Sequence, residues 1–159
     1  MNYNNIEILD CTLRDGGYYT NWWFGDQFVK NYLITVSKLP INIVELGYLS
    51  NNKDDAGLYY HLNKKTLIQS KKLLRKNQKI YVMINLKEFK TINDLKKILK
   101  ENSNYIDGVR FAVSAFEIDK YKKFIDMACN EFKKLEKNVN IVYFSKWFDK
   151  EKTIKKINN

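Results

Sequence analysis

Apolar positions along this chain fall into short runs of strand length, separated by longer stretches with apolar residues every three or four positions. The short runs predict strands over 6–13, 41–48, 79–86, 108–114 and 139–144. The longer stretches predict helices over 26–38, 64–75, from 91 onward, 118–137 and from 150 to 158. In the first helix Phe28, Tyr32, Val36 and Leu39 form one stripe, and Pro40 blocks its continuation. The third opens on Thr91-Ile92-Asn93-Asp94, a capping box with Asp in the usual Glu position, and runs on through Leu95, Ile98 and Leu99. The fourth presents Tyr121, Ile125, Ala128, Phe132 and Leu135 as its buried face. Two loops interrupt the pattern: 16–25, with Trp22-Trp23-Phe24, and the polar 50–63, with Asp54-Asp55 and His61.

Strands alternating with helices predict an α/β fold with a parallel sheet and right-handed crossovers. The pattern alone fits a barrel and a doubly wound open sheet equally well. At 159 residues the chain has the length of one domain. A (β/α)8 barrel needs at least about 200 residues.

The chemistry concentrates in Asp10-Cys11-Thr12-Leu13-Arg14-Asp15-Gly16-Gly17-Tyr18-Tyr19. An apolar run ends in a cation and an anion side by side, followed by two glycines. This predicts a strand delivering Arg14 and Asp15 at its C-terminal end, where parallel α/β folds hold their chemistry. The glycines there would let the backbone turn sharply and a ligand approach. Glu45 follows on the next apolar run, 30 positions after Asp15. That is about one βα unit, so Arg14, Asp15 and Glu45 could converge on neighbouring strands. The bland alternative is a structural ion pair at a strand end and a locally paired Glu.

Asp-x-Thr-Leu-Arg-Asp-Gly on the first strand, with a Glu on the second, resembles the DRE-TIM metallolyases. This family includes 3-hydroxy-3-methylglutaryl-CoA lyase, 4-hydroxy-2-oxovalerate aldolase and pyruvate carboxyltransferases. The Gly-Gly-Tyr-Tyr-x-Asn continuation is most similar to the aldolase-like branch. The resemblance implies the N-terminal portion, about five βα units, of a TIM (β/α)8 barrel, with residues 1–159 as a partial catalytic domain. It implies carbon–carbon bond cleavage or formation through the enolate of a 2-oxo acid such as pyruvate, with an aldehyde or acyl partner. Asp15 would be a ligand of Mn²⁺ or Mg²⁺, Arg14 would stabilise the enolate oxygen, and Glu45 would orient Arg14. Val109-Arg110-Phe111-Ala112-Val113-Ser114 resembles the family's Val-Arg-x-Ala-x-His, which makes Arg110 and Ser114 substrate-binding candidates. Their alternative is ordinary packing.

Three positions depart from the family. Its His-x-His metal pair has no counterpart, since His61 is the single histidine and stands in a polar loop. Tyr18 replaces a His of the aldolase branch, and Ser114 replaces the His of the fourth-strand motif. Tyr18 or Ser114 would then have to serve as general acid or base. The isolated chain is expected to turn over little. The other readings are a non-catalytic half-barrel that pairs with a second copy or with the rest of a barrel, and a basic nucleic-acid-binding domain.

Composition narrows these readings. The net charge of +10 invites a nucleic-acid partner. The lysines are scattered over every predicted helix, however, and no stripe of Arg with interleaved aromatics stands out. Solvated helix faces explain them better. Cys11 and Cys129, far apart and without a Cys-x-x-Cys, read as reduced core residues. No signal-peptide run and no run of about 18 apolar residues occurs, which points to a soluble cytoplasmic protein.

Overall fold

The computed structural model describes residues 6–142. Five parallel strands form one sheet in the order of the chain: β1 (Leu9–Asp10), β2 (Ile43–Tyr48), β3 (Lys79–Asn85), β4 (Gly108–Ser114) and β5 (Glu136–Val142). Between them run α1 (Thr12–Thr20), α2 (Asp26–Lys38), α3 (Lys64–Leu73), α4 (Ile92–Asn102) and α5 (Ile118–Glu131). Sequential strand order decides between the two architectures left open above. A doubly wound sheet reverses its order at a switch point. Here each strand pairs with the next in sequence, so right-handed crossovers carry the connecting helices to one face, as in a barrel. The chain is α/β with the strand arrangement of a partial TIM barrel.

Burial follows that geometry. On β4, Val109, Phe111 and Val113 are buried, while Arg110, Ala112 and Ser114 on the opposite face are half-buried. β2 is buried along its whole length, because α1 lies against it. Near the start of β3, the Tyr81 hydroxyl donates to Glu136 on β5. Its ring passes so close to Gly108 that a Cβ there would sit 2.5 Å from it, so Gly108 gives Tyr81 its path across β4. Lys79 bonds Glu136 at 2.9 Å and Glu7 at 2.7 Å on the same end.

The sequence reading needs correction at several elements. β1 is two residues long, not eight. Arg14, Asp15, Gly16, Gly17 and Tyr18 lie inside α1, not at a strand end and turn. Asp10 explains the early helix start, since its Oδ1 accepts the Thr12 N–H at 2.9 Å. The chain reverses later, at Asn21 and Trp22, whose φ values are 49° and 56°; no glycine has positive φ among the described residues.

On α2 the buried stripe is Val29, Leu33 and Val36, while Phe28 and Leu39 are exposed. Val36 belongs to both stripes, and the buried one is turned by one residue, from Phe28 and Tyr32 to Val29 and Leu33. α5 ends at Glu131, and residues 136–138 belong to β5. α3 ends at Leu73. The capping box at Thr91 forms as expected. Cys129 is exposed, not core. His61 is partly buried and bonds Asp54 at 3.0 Å. The expected helix from 150 and the end of the fifth strand lie outside the described residues. No helix among the described residues is long and apolar enough to cross a membrane.

Candidate active site

The cluster starts from Glu45, the third residue of β2 and fully buried. Its Oε2 accepts Nε of Arg14 at 2.8 Å and Nη1 of Arg110 at 3.0 Å. Arg14 reaches it from α1. Arg110 reaches it from β4, across the width of β3. Arg14 also holds Asp15, with Nη1–Oδ1 at 2.6 Å and Nη2–Oδ2 at 3.2 Å. Two cations and two carboxylates therefore share one ion group. Burial by itself would disfavour the Arg14 guanidinium, but Glu45 and Asp15 outweigh that and raise its pKa, so it stays protonated. Glu45 Oε1 is buried without a hydrogen-bond partner among the described residues.

Exposure separates the roles. Glu45 is sealed in, Arg14 is mostly buried, and the Asp15 carboxylate is 53% exposed. Cys11 Sγ donates to Asp15 Oδ2 at 3.0 Å, and burial together with this contact pushes the thiol pKa up. Asp15 is thus engaged on both oxygens. No group of three or more His, Cys, Asp or Glu that could hold a metal ion occurs among the described residues. The donors present do not by themselves make a divalent site.

Tyr18 joins the cluster indirectly. Its hydroxyl lies 3.0 Å from that of Tyr48, and the Arg14 guanidinium is close enough to Tyr48 to act on its hydroxyl. Burial first, and then the Tyr18 contact, push the Tyr48 pKa well above the usual tyrosine value. Trp22 fixes both rings. Its indole donates to the Arg14 carbonyl at 3.0 Å, packs edge-on against Tyr18 and Tyr48, and lies on Gly17, where a Cβ would sit 2.0 Å from Nε1. The space beside Gly17 therefore belongs to Trp22, not to a ligand.

Arg14, Asp15, Glu45 and Arg110 thus meet directly, and Tyr18 meets them through Tyr48. Ser114 does not join them. It stands on the Arg110 face of β4, and its hydroxyl accepts the Phe116 N–H, capping the turn that leads into α5. A cavity of about 510 Å³ between α2 and α3, lined by Asp26, Leu33, Tyr59 and Thr66 among others, includes none of the cluster.

Sequence reasoning missed Tyr48 and placed Trp22 in a loop without a part in the site. Tyr48 is three residues beyond Glu45, which strict alternation assigns to the opposite face. A bulge reverses this: Glu45 pairs with Tyr81 and Tyr48 with Met83, three steps on β2 against two on β3. Gly47 was the available signal. A Cβ there would sit 1.9 Å from the Tyr59 carbonyl oxygen.

No protein-family model matches the chain, and no curated protein matches it. Among solved structures, the chain is similar to the crystal structure of the "N-terminal domain of a putative aldolase" from Bacteroides vulgatus, with 33% identity and a TM-score of 0.79. The likeness covers 96% of this chain and 52% of that one, so the chain spans about half the length of the structure it matches. The strands and helix that carry Arg14, Glu45 and Arg110 are therefore built into an aldolase-like fold.

Proposed function

We propose that this chain carries the enolate-stabilising part of an aldolase- or lyase-type site of the DRE-TIM kind, acting on a 2-oxo acid such as pyruvate. The single observation behind this reading is the Arg14 guanidinium, held mostly buried by Glu45 and Asp15 on the inner side of an aldolase-like partial barrel. A fixed, pre-oriented cation in a water-poor place stabilises negative charge that develops during reaction far more than a solvated one. Arg110 shares only one nitrogen with Glu45. Its other donors suit the substrate carboxylate.

In the cleavage direction water takes the proton of the departing hydroxyl, whose oxygen becomes the aldehyde carbonyl as the carbon–carbon bond breaks, and the electrons of that bond delocalise onto the keto oxygen, beside Arg14. Tyr18 then gives its hydroxyl proton to the enolate carbon. The O–H bond breaks, a C–H bond forms, and water restores the proton. Asp15 is the residue proposed to face a divalent metal, with further ligands needed beyond those described.

Self-association is the weaker reading. Two such sheets would bring together ten described strands, whereas a TIM barrel closes with eight. Nucleic-acid binding is weaker still, since Lys71, Lys87 and Lys96 are paired with Asp107, Glu117 and Glu131.

The test uses the protein expressed over its complete natural reading frame, with pyruvate in D₂O, with and without Mn²⁺. Exchange of the pyruvate methyl protons is expected. A protein that catalyses no exchange under either condition overturns the proposal.

A further inference from the structure

We infer that Tyr48 is a positioning residue of this site, built to hold the Tyr18 hydroxyl toward Arg14. The inference rests on the enolate reading above.

Three observations converge on it. The first is aim. The bulge in β2 spends one unpaired residue, and the ladder resumes with Tyr48 on the side of Glu45 and Arg14. Bulges interrupt pairing at a cost and recur next to active sites, where they re-aim a side chain. The bulge here is secured from the loop, since the Tyr48 N–H donates to the Tyr59 carbonyl at 2.9 Å and the Leu62 N–H donates to the Tyr48 carbonyl at 3.1 Å.

The second is burial. Tyr48 is 5% exposed, and the partner of its hydroxyl, Tyr18, is 66% exposed. The pair therefore runs from the interior beside Arg14 to the open side of the site. A residue needed only for packing would be satisfied by Phe, without a buried hydroxyl that must be paired.

The third is rigidity. Tyr48 sits edge-on to Trp22 at 5.6 Å and tilted against Tyr60 at 4.9 Å. Tyr60 is tied in turn to Glu88 by a 2.6 Å hydrogen bond. Trp22 itself holds a left-handed backbone conformation that bulky residues rarely adopt.

The chemistry follows from the order of the groups. Tyr18 faces the substrate and carries the proton. When that proton passes to the enolate carbon, the phenolate left on Tyr18 accepts a hydrogen bond from the Tyr48 hydroxyl, which stays protonated. Tyr48 thus stabilises the charge formed during proton transfer and touches neither substrate nor reacting carbon.

The experiment compares Tyr48→Phe, Tyr18→Phe and the double variant in the methyl-exchange assay, using the protein expressed over its complete reading frame. Tyr48→Phe keeps the ring and its packing. It should lower the saturated exchange rate about tenfold, consistent with losing one hydrogen bond made to a charge in the transition state. The pyruvate concentration for half-maximal rate should stay within twofold. Tyr18→Phe should fall at least as far, and the double variant no further than Tyr18→Phe, because the two hydroxyls act as one unit.

An unchanged rate in Tyr48→Phe overturns the inference and leaves the enolate reading standing. Multiplying losses in the double variant also overturn it, since they would make the two hydroxyls independent. Should Tyr48→Phe fail to fold, the exposed Tyr18→Phe decides, and full activity there defeats the pair. A wild-type protein without exchange removes the enolate reading and this role together.

Discussion

Gly17→Ala sets helix propensity against packing. Gly17 lies inside α1, and by propensity alone Ala should stabilise the helix by about 1 kcal/mol. The structure predicts the opposite sign. An added Cβ would sit 2.0, 2.1 and 2.4 Å from three atoms of the Trp22 indole. Real Cβ contacts do not approach so closely, so the indole must move. It is not the free end of a flexible chain, because it donates to the Arg14 carbonyl and packs against Tyr18, Tyr48 and Tyr60. Forcing a methyl into such a core costs about 1–3 kcal/mol. Loss of the indole hydrogen bond adds about 1 kcal/mol, and weakened ring contacts add about 1 kcal/mol more. Subtracting the helix gain leaves a net loss of about 2–4 kcal/mol. Urea unfolding followed by tryptophan fluorescence is the assay. With a slope of roughly 2 kcal/mol per molar, the midpoint should fall by about 1 M or more. A midpoint that rises would show that Trp22 is not seated on Gly17, and the placement of Tyr18 and Tyr48 around it would fall too.

Arg14→Lys keeps the charge but loses the planar fork that holds Glu45 and Asp15 together; methyl exchange by the complete protein should drop at least about tenfold with the fold intact by circular dichroism, and unchanged exchange removes Arg14 from the chemistry. The 159-residue chain alone should show no micromolar Mn²⁺ site in calorimetric titration, because one carboxylate leaves most of the coordination shell to water; tight binding abolished by Asp15→Ala would refute this. Tyr81 and Lys79 hold the Glu136 carboxyl below its usual range, so its contribution is present above the unfolded value of about 4.3 and is lost as pH falls through the lower folded value. Glu136 is half exposed, so screening limits this to roughly 0.5 kcal/mol; the urea midpoint of Glu136→Gln should fall less between pH 6 and pH 3 than that of the wild type, and parallel falls would refute the link.

Much of this architecture is written in local pattern. β4 runs over the same residues that its alternation predicts, and the Thr91 cap forms with both of its reciprocal bonds. Arg14, Asp15 and Glu45 do meet, but Arg14 and Asp15 come from helix α1 and not from a neighbouring strand. What could not be read depends on contacts remote in sequence. Gly16 and Gly17 read as a turn because glycine weakens helices, yet a Trp five positions after Gly17 uses the missing side chain as its seat. Arg110 reads as a substrate ligand or a packed ion-pair former, and its partner is a carboxylate 65 residues away. Tyr48 is invisible to alternation because a single inserted residue reverses its face.

The link from Lys79 to Glu7 and Glu136 bears on shape. Glu7 leads into β1 and Glu136 opens β5, so the two belong to opposite margins of the sheet. Laid flat, those margins would be about 19 Å apart, four strand spacings of about 4.8 Å. Both carboxylates nevertheless reach one ammonium, at 2.7 and 2.9 Å. This end of the sheet is therefore drawn together like the neck of a purse, with Tyr81 lying across it. The opposite end, past Tyr48, carries no such tie between the two margins among the contacts described. Because a single half-buried ammonium gathers both margins, salt that screens it should let the tied end relax before the body of the sheet does.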